Sequence, residues 1–320
     1  MKKDEIIPKI MVLGADGFIG NNLIKSLLND EQYSIRAFDL FKDGTSRNLE
    51  DIRDQIEIFQ GNFLNRDDLS RALIDVDYVF HFISLTTPGS SMNDPLIDVD
   101  TNIKGTIVLL EECAKAKVEK VIFSSSGGAI YGDSQRMLVS EEDSTSPISP
   151  YAISKLTIEK YLEYFRIHSG LEYLILRYAN PYGPGQNVVG SQGIIPIFLN
   201  LIDQKKPITI FGDGQNVRDY IYIDDLINIT KLLFLKRTKY HVYNVGNGNG
   251  VSINDVVTAI EDAVREKIHI NIEPARNIDV KRIVLNTSRV SDEIGNIPRV
   301  TLEEGISKTW KWLRNRGDKN

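Results

Sequence analysis

The chain has 320 residues, of which 42% are hydrophobic and 26% are charged. This composition is typical of a folded protein with one large domain or two modest ones, and it excludes a disordered or fibrous chain. The 38 basic and 44 acidic residues give a net charge of −6 without a large basic cluster, which argues against nucleic acid or an anionic membrane as a partner.

The distribution of particular residue types disfavours two further properties. The single cysteine, Cys113, and four widely separated histidines provide no metal-ligand spacing, so we expect no metal site. No run of about 18 uncharged apolar residues occurs, and the first residues lack the apolar core of a secretory signal. We therefore expect the protein to remain in the cytoplasm.

The first 180 residues alternate short β-branched segments with longer amphipathic ones, which is typical of βα units that build a parallel sheet. The predicted strands are Lys9–Leu13, Ser34–Asp39, Ile56–Gln60, Tyr78–Ile83, Lys120–Ser124 and Tyr173–Arg177. The predicted helices are Phe18–Asn29, Arg66–Ile74, Ile97–Lys117 and Tyr151–His168. This order predicts an α/β fold with a doubly wound, Rossmann-type parallel sheet.

The pattern changes after Arg177, where Asn180–Gly185 has the proline and glycine content of a loop at a domain boundary. The residues beyond it mix short strands and helices with glycine-rich turns, and they are too few and too irregular for a second nucleotide fold. We predict a dinucleotide-binding domain over residues 1–180 and a smaller C-terminal α/β lobe over residues 181–320 that covers the substrate.

A glycine-rich turn joins the first predicted strand to the first predicted helix. Gly14, Gly17 and Gly20 would let the backbone turn tightly and approach a pyrophosphate. Phe18 and Ile19 lie at the start of the helix, where unpaired N–H groups can bind the anion. Turns need glycine for other reasons, so the motif gains its weight from its position in the first βα unit.

Three more residues at the carboxyl ends of strands are candidate cofactor ligands. Asp39 ends the second predicted strand, nineteen residues after Gly20, where a carboxylate can accept hydrogen bonds from ribose hydroxyls. A carboxylate would repel a 2′-phosphate, so the residue favours NAD; alternatively, Asp39 caps the next helix. Asn62 and Phe63 follow the third predicted strand, along the edge where a dinucleotide would extend.

Tyr151 and Lys155 lie four residues apart on one face of a predicted helix. A neighbouring cation stabilises phenolate, which would make the tyrosine a general base. The pair follows the segment Ser124–Gly128, in which a serine could bind the same substrate oxygen; our assignment is Ser126, with Ser125 as an alternative. The opposing interpretation is that serine and glycine simply form a loop there.

Together these motifs resemble the extended short-chain dehydrogenase/reductases, specifically the NAD-dependent nucleotide-sugar epimerase/dehydratase family. Further marks of this resemblance extend over nearly the whole chain: Tyr131-Gly132, Arg177–Gly183, Phe211–Tyr220, Tyr243–Gly246 and Arg276–Asp279. The resemblance implies bound NAD, a UDP-sugar substrate and a sugar-nucleotide lobe, with residues from about 220 to 246 returning to the Rossmann domain.

The resemblance also implies roles for individual residues in the second half of the chain. Asn180 would contact the substrate diphosphate, and Arg218 and Arg276 would hold the phosphates or the uridine ribose. Arginine suits this task because its planar fork binds phosphate through two hydrogen bonds and stays charged. Taken singly, either arginine could instead be an ordinary surface residue.

The family contains epimerases, 4,6-dehydratases, decarboxylases and reductases, so the resemblance alone does not choose the reaction. The stretch Gly127–Ile130 lacks the carboxylate that dehydratases carry after the serine, which disfavours elimination. The epimerase/reductases of the family need a cysteine and a histidine near the sugar, whereas the single cysteine, Cys113, lies in a predicted helix. We therefore favour 4-epimerisation through a 4-keto sugar, with Tyr151 as the base. A reductase, a 4,6-dehydratase or a non-catalytic binding protein remain alternatives.

Three further expectations concern the sugar pocket and assembly. Thr86 and Thr87 lie in a loop after the fourth predicted strand, and either could touch the sugar. By the resemblance, Ile283 occupies the position of a tyrosine that limits the space beside the sugar, so an N-acetyl group would fit; alternatively it is a buried strand residue. Apolar residues cover more than one face of the helix Tyr151–His168, which indicates a partner. The resemblance implies that this partner is a second copy, in a homodimer whose four-helix bundle also includes the helix from about Ile97 to Lys117.

Overall fold

The protein was analysed as a computed structural model, which describes residues 7–30, 32–41, 46, 48–134, 136–189, 192–276 and 280–317. These residues fall into two compact units. The first is drawn from residues 1–125 and 150–176, and the second from residues 126–149 and 177–320. Among the helices of the described ranges, none has both the length and the hydropathy of a membrane-spanning segment.

The first half of the chain builds a parallel sheet. Its strands are β1 (Lys9–Leu13), β2 (Ser34–Asp39), β3 (Glu57–Gln60), β4 (Tyr78–His81), β5 (Lys120–Ser126) and β6 (Glu172–Tyr178). They lie in the order β6-β5-β4-β1-β2-β3, with β1 parallel to both β2 and β4. The first strand is buried from Ile10 to Leu13, because the chain crosses between strands through helices that cover the sheet.

The helices of the first unit begin close to their predicted starts. They are α1 (Phe18–Leu28), α2 (Arg66–Ala72), α3 (Pro95–Ile97) and α4 (Lys104–Ala116), and, after α5 (Gly127–Ile130) of the second unit, α6 (Pro150–Ser169). The helix α2 is capped by Asn65, whose side chain accepts from the N–H groups of Asp67 and Asp68. All six predicted strands are present, so the α/β Rossmann-type fold is confirmed.

The helix predicted over Ile97–Lys117 is present, but not all of it is α-helical. The residues Asp98–Ile103, between α3 and α4, form a π-helical segment instead. Two of its side chains, Asp98 and Asn102, are buried and hydrogen-bond to Thr86. These inward bonds hold polar side chains at one place on the helix, and wide turns of this kind are frequent at functional sites.

The second unit has smaller sheets. Its strands are β7 (Asn180–Tyr182), β8 (Ile208–Phe211), β9 (Val217–Tyr222), β10 (Val242–Val245), β11 (Gly250–Ser252), β12 (Ile270–Glu273) and β13 (Arg282–Ile283). Its remaining helices are α7 (Ile194–Asp203), α8 (Ile223–Leu235), α9 (Ile253–Val264), α10 (Ser288–Ile294) and α11 (Leu302–Gly317). The strand β9 pairs with β7, β11 and β13, and β12 pairs with β8.

A buried hydrogen-bond cluster explains why three separated motifs occur together in the sequence. The hydroxyl of Tyr131 donates to Asn244 Oδ1 at 2.7 Å and accepts from the guanidinium of Arg177 at 2.9 Å. The amide of Asn244 also donates to the carbonyl of Val139. Burial raises the pKa of Tyr131 to about 12, so the phenol keeps its proton and acts as a donor at neutral pH.

We expect Tyr131→Phe to lower the free energy of unfolding by about 1–3 kcal/mol, because it leaves Asn244 Oδ1 and a buried arginine N–H group without this partner. Denaturant unfolding followed by circular dichroism measures the change. The matched control is Tyr240→Phe, at a side chain that is 40% exposed. Equal stability of the two variants would contradict the assignment.

Candidate active site

The glycine turn between β1 and α1 has the geometry that its sequence predicted. Gly14 has a φ of +83°, and its N–H group donates to the carbonyl of Phe38. A Cβ atom on Gly20 would lie 2.1 Å from the carbonyl oxygen of Gly14, so a side chain cannot be placed there without moving the turn. Gly17 is the N-cap of α1 and has no side chain to bind the first N–H groups of the helix.

Asp39 joins the end of β2 to this turn. Its Oδ2 atom accepts from the N–H group of Asp16 at 3.0 Å, and its Oδ1 atom accepts from Leu40 at 2.8 Å. Burial raises the pKa of this carboxyl, whereas the two N–H donors lower it. The next described helical segment begins after Leu49, so Asp39 does not cap it. The carboxylate retains lone pairs for further donors, as a ribose hydroxyl would require.

Asn62 and Phe63, after β3, have different environments. Asn62 is exposed, and its Oδ1 atom accepts from the N–H group of Leu64. The ring of Phe63 is buried 5.2 Å from the ring of His81, and a Cβ atom on Gly105 would approach it to 2.5 Å. The side chain of Phe63 is therefore a packing element, so its predicted contact with the cofactor would have to come from its backbone.

The Tyr151–Lys155 pair lies in the first two turns of α6. Lys155 is only 4% exposed, and its Nζ atom donates to the carbonyl of Ser124 at 2.9 Å. The same Nζ atom is 5.7 Å from the centroid of the Tyr151 ring and 4.8 Å from that of Phe123. An ammonium held this close to a phenol stabilises its phenolate form, which is the state that a general base needs.

The protonation of Lys155 depends on opposing influences. Burial lowers the pKa of Lys155 to about 8, while the carboxylates of Asp98 and Glu159 act in the opposite direction. The charge of this lysine therefore depends on the two carboxylates, because water does not solvate the buried ammonium.

The three serines at the end of β5 are distinguished by their hydrogen bonds. Ser125 donates to Glu159 Oε1 at 2.6 Å in the interior of the first unit. Ser124 and Ser126 face the opposite side of the strand, because successive strand residues alternate. Ser126 is partly exposed and precedes α5. The hydroxyl of Ser125 thus has a structural partner, and the catalytic role of Ser126 stays a prediction.

Sequence reasoning missed two buried carboxylates near the pair, Glu159 and Asp98. Glu159 could have been found from its spacing, because it lies one helical turn after Lys155. Asp98 had no such signal, since it comes from a distant segment. His81 is buried near them, its Nε2 atom lies 2.9 Å from Thr106 Oγ1, and burial lowers its pKa to about 3.

In the second unit, the structure brings the three predicted substrate ligands to one pocket of about 440 Å³. Asn180, Arg218 and Arg276 all line it, and the guanidinium of Arg276 stacks 4.3 Å above the ring of Phe211. Much of the remaining wall is apolar and comes from α7, at Ile194, Ile195, Pro196, Ile197, Phe198 and Leu201. An apolar wall beside two arginines suits a ligand with a flat ring and an anionic group.

The other two predicted substrate residues have internal partners. Thr86 is buried, donates to Asp98 Oδ1 and accepts from Asn102. Ile283 is 2% exposed on β13, where it pairs with Arg218 of β9, and it does not line the described pocket. The roles of both residues toward a sugar stay predictions. Asn277, Ile278 and Asp279, which follow Arg276, lie outside the described residues.

The glycine turn, the carboxylate at the end of β2 and the Tyr–Lys pair define the first unit as a dinucleotide-binding dehydrogenase-type unit. A family model for the NAD dependent epimerase/dehydratase family matches residues 10–246. The chain belongs to this family, and it is therefore an NAD-dependent enzyme.

Known relatives agree over almost the full length. A UDP-glucose 4-epimerase of Mycolicibacterium smegmatis is 32% identical over 312 residues, covering 96% of this chain and 99% of that protein. Two crystal structures each cover 96% of this chain and 99% of theirs. One is UDP-glucose 4-epimerase of Thermotoga maritima with UDP-glucose, 33% identical with a TM-score of 0.89. The other is the Thermus thermophilus enzyme with NAD, 30% identical with a TM-score of 0.88.

We expect Gly20→Ala to reduce the affinity for NAD about tenfold or more, because the added Cβ atom meets the Gly14 carbonyl and displaces the turn. The affinity is measured by titrating stripped protein with NAD in a calorimeter. Gly89→Ala is the control, since a Cβ atom at that exposed glycine meets nothing within 4 Å. Unchanged affinity in Gly20→Ala would show that NAD does not bind against this turn.

Proposed function

We propose that the protein is an NAD-dependent UDP-sugar 4-epimerase that interconverts UDP-glucose and UDP-galactose or their N-acetyl forms. The observation that carries this proposal is the buried Lys155 ammonium beside Tyr151, on the same unit as the glycine turn. Relatives of similar length are named UDP-glucose 4-epimerases, and solved neighbours contain UDP-glucose or NAD.

The glycine turn and Asp39 would hold NAD, which would supply the acceptor for a hydride from the sugar C4 and its donor in the return step. Tyr151 transfers the proton: it removes the proton of the 4-hydroxyl and returns it after the 4-keto sugar has rotated to present its opposite face. Lys155 favours the phenolate form of Tyr151 electrostatically. Ser126 orients the sugar oxygen, and the diphosphate is anchored by Asn180, Arg218 and Arg276 while the sugar itself stays free to rotate.

Several features support epimerisation rather than elimination. The segment after Ser126 forms the short helix α5, and a Cβ atom on Gly127 would lie 2.6 Å from Leu285. A side chain at position 127 would require Leu285 to move, and α5 carries no carboxylate for a second proton transfer. The epimerase also needs no exchange of cofactor, since each turnover restores NAD.

We expect Tyr151→Phe to lower kcat about 10²- to 10⁴-fold, because it removes the proton acceptor and leaves the glycine turn intact. The assay incubates purified enzyme with UDP-galactose or UDP-N-acetylgalactosamine and detects the 4-epimer by NMR. Tyr164→Phe, at a half-exposed position of the same helix, should remain fully active. A near-normal rate in Tyr151→Phe would overturn the mechanism, and wild-type inactivity on a panel of UDP-sugars would overturn the function.

We also propose that the enzyme is a homodimer. Ile158, Leu162 and Phe165 of α6 are buried in the protomer, whereas Ile153 and Ile167 are 50% and 63% exposed. Exposed apolar residues also lie before and within the π-helical segment, at Leu96, Ile97 and Val99. A second copy that packs α6 and this region against their counterparts would cover these side chains.

Light scattering at micromolar concentration should give twice the mass of the chain for the wild type. Ile153→Glu should shift the protein toward the monomer, because the interface would have to bury a charge. Ile272→Glu is the control, since Ile272 is an exposed isoleucine of β12 in the other unit. A monomeric wild type would reject the assembly.

The remaining expectations stay predictions. They are the division of labour between residues 1–180 and 181–320, the return of about 220–246 to the cofactor domain, the cytoplasmic location, and sugar contacts by Thr86 and Ile283. The burial of Ile283 supports the alternative that it is a strand residue of the core. An activity comparison between UDP-glucose and UDP-N-acetylglucosamine would determine the preferred sugar.

A further inference from the structure

The carboxyl group of Asp98 is buried in an unusual arrangement. It is 1% exposed, and its Oδ1 atom accepts two hydrogen bonds, from Thr86 Oγ1 at 2.8 Å and from Asn102 Nδ2 at 2.9 Å. Its Oδ2 atom is buried without a hydrogen-bond partner among the described residues. Burial therefore removes Oδ2 from water without giving it a hydrogen bond from the described residues.

The hydrogen bonds favour the ionised form of Asp98. The amide nitrogen of Asn102 can only donate to Oδ1, and the hydroxyl of Thr86, which accepts from that amide, donates its own proton to Oδ1. A proton on Oδ2 would find no acceptor among the described residues. A buried carboxylate is retained only when a nearby cation compensates for the lost water.

A buried cation that Asp98 can compensate is Lys155. The π-helical segment that carries Asp98 packs against α6, which carries Lys155, and the two charges attract each other. The other titratable groups that face Lys155 are Glu159 and Tyr151 on its own helix and His81 on β4.

The two glutamates at the centre of α4 have a different cationic partner. Glu111 and Glu112 of α4, which also packs on α6, are paired with Arg66 instead. His81 is neutral. Of the two carboxylates that face Lys155, Glu159 already accepts a hydrogen bond from Ser125, so Asp98 is the one with an uncommitted oxygen.

We propose that Asp98 is a positioning residue whose buried negative charge keeps Lys155 protonated, and that it thereby maintains the cation on which the Tyr151 phenolate depends. Its consequence for catalysis rests on the proposed epimerase function. The π-helical segment that carries Asp98 and Asn102 packs against α6. Both side chains also hydrogen-bond to Thr86 in the loop after β4.

The substitution Asp98→Asn removes the negative charge and keeps nearly the same size and shape of side chain. The amide oxygen can still accept both hydrogen bonds of Oδ1, and the amide nitrogen replaces an atom that makes none. The control is Asp100→Asn, which removes an exposed carboxylate from the same segment. If Asp98→Asn does not fold, Asp98→Ser removes the same charge with a smaller side chain.

The first measurement follows the titration of Lys155 directly, by NMR of protein labelled with ¹⁵N-lysine and assigned with Lys155→Met. Removing an opposite charge within about 4–6 Å moves a pKa by about 1–3 pH units. We therefore expect the midpoint of Lys155 to fall by at least about one pH unit in Asp98→Asn and to stay in place in Asp100→Asn. An unchanged midpoint in Asp98→Asn would overturn the proposal.

The second measurement is the pH profile of kcat for UDP-sugar epimerisation. Loss of the Lys155 ammonium should end activity at high pH, so the alkaline limb should move to lower pH in Asp98→Asn by the same amount as the NMR midpoint. A uniform loss of kcat at every pH, with the limb in place, would reveal a merely structural role and overturn the proposal. If the NMR midpoint falls but the wild type epimerises no UDP-sugar, the charge assignment stands and the proposed function fails.

Discussion

The central constraint of this molecule is a lysine charge that has been taken out of water. Removing an ammonium from solvent costs far more than one hydrogen bond returns, so the surroundings of Lys155 must compensate for it. The carbonyl of Ser124 at the end of β5, the carboxylate of Glu159 on α6 and the carboxylate of Asp98 in the π-helical segment all contribute. Three separate elements are thereby fixed around a single side chain, and the phenol of Tyr151 lies beside the cation that they stabilise.

The parts of the fold that follow from short-range rules could be predicted from the sequence. The strands and the glycine turn depend on alternation, on apolar runs and on a φ that only glycine tolerates, and each signal lies within a few residues of the structure it specifies. The glycine at position 20 illustrates this, since the clash that a Cβ atom would cause involves a carbonyl only six residues away. The Tyr151–Lys155 pair was visible for the same reason, because four residues make one helical turn.

The features that could not be predicted from the sequence depend on contacts between residues far apart in the chain. The helical periodicity of Ile97–Lys117 was real, but it could not reveal that Asp98 and Asn102 bond to a loop more than ten residues earlier and widen the helix into a π-helical segment. In the same way, the motifs containing Tyr131, Arg177 and Asn244 stand far apart in the chain and meet in one buried cluster. Sequence patterns identified these positions as marks of a family without indicating that their contacts are architectural.

Because side chains alternate between the two faces of a strand, adjacent residues of one motif can have different roles, one in binding and the next in the structure. Arg218 lines the pocket, whereas its neighbour Asp219 is buried and accepts backbone N–H groups from Asn247, Gly248 and Leu285. Burial raises the pKa of Asp219 to about 6 while these donors oppose the rise, which is the behaviour of a group held for structure. The serines of β5 divide in the same manner, because Ser125 bonds inward to Glu159 while Ser124 and Ser126 share the opposite face. Adjacent residues of a motif can therefore have unrelated tasks, and a shift of one residue, as from Ser125 to Ser126, moves a hydroxyl to the opposite face of the strand.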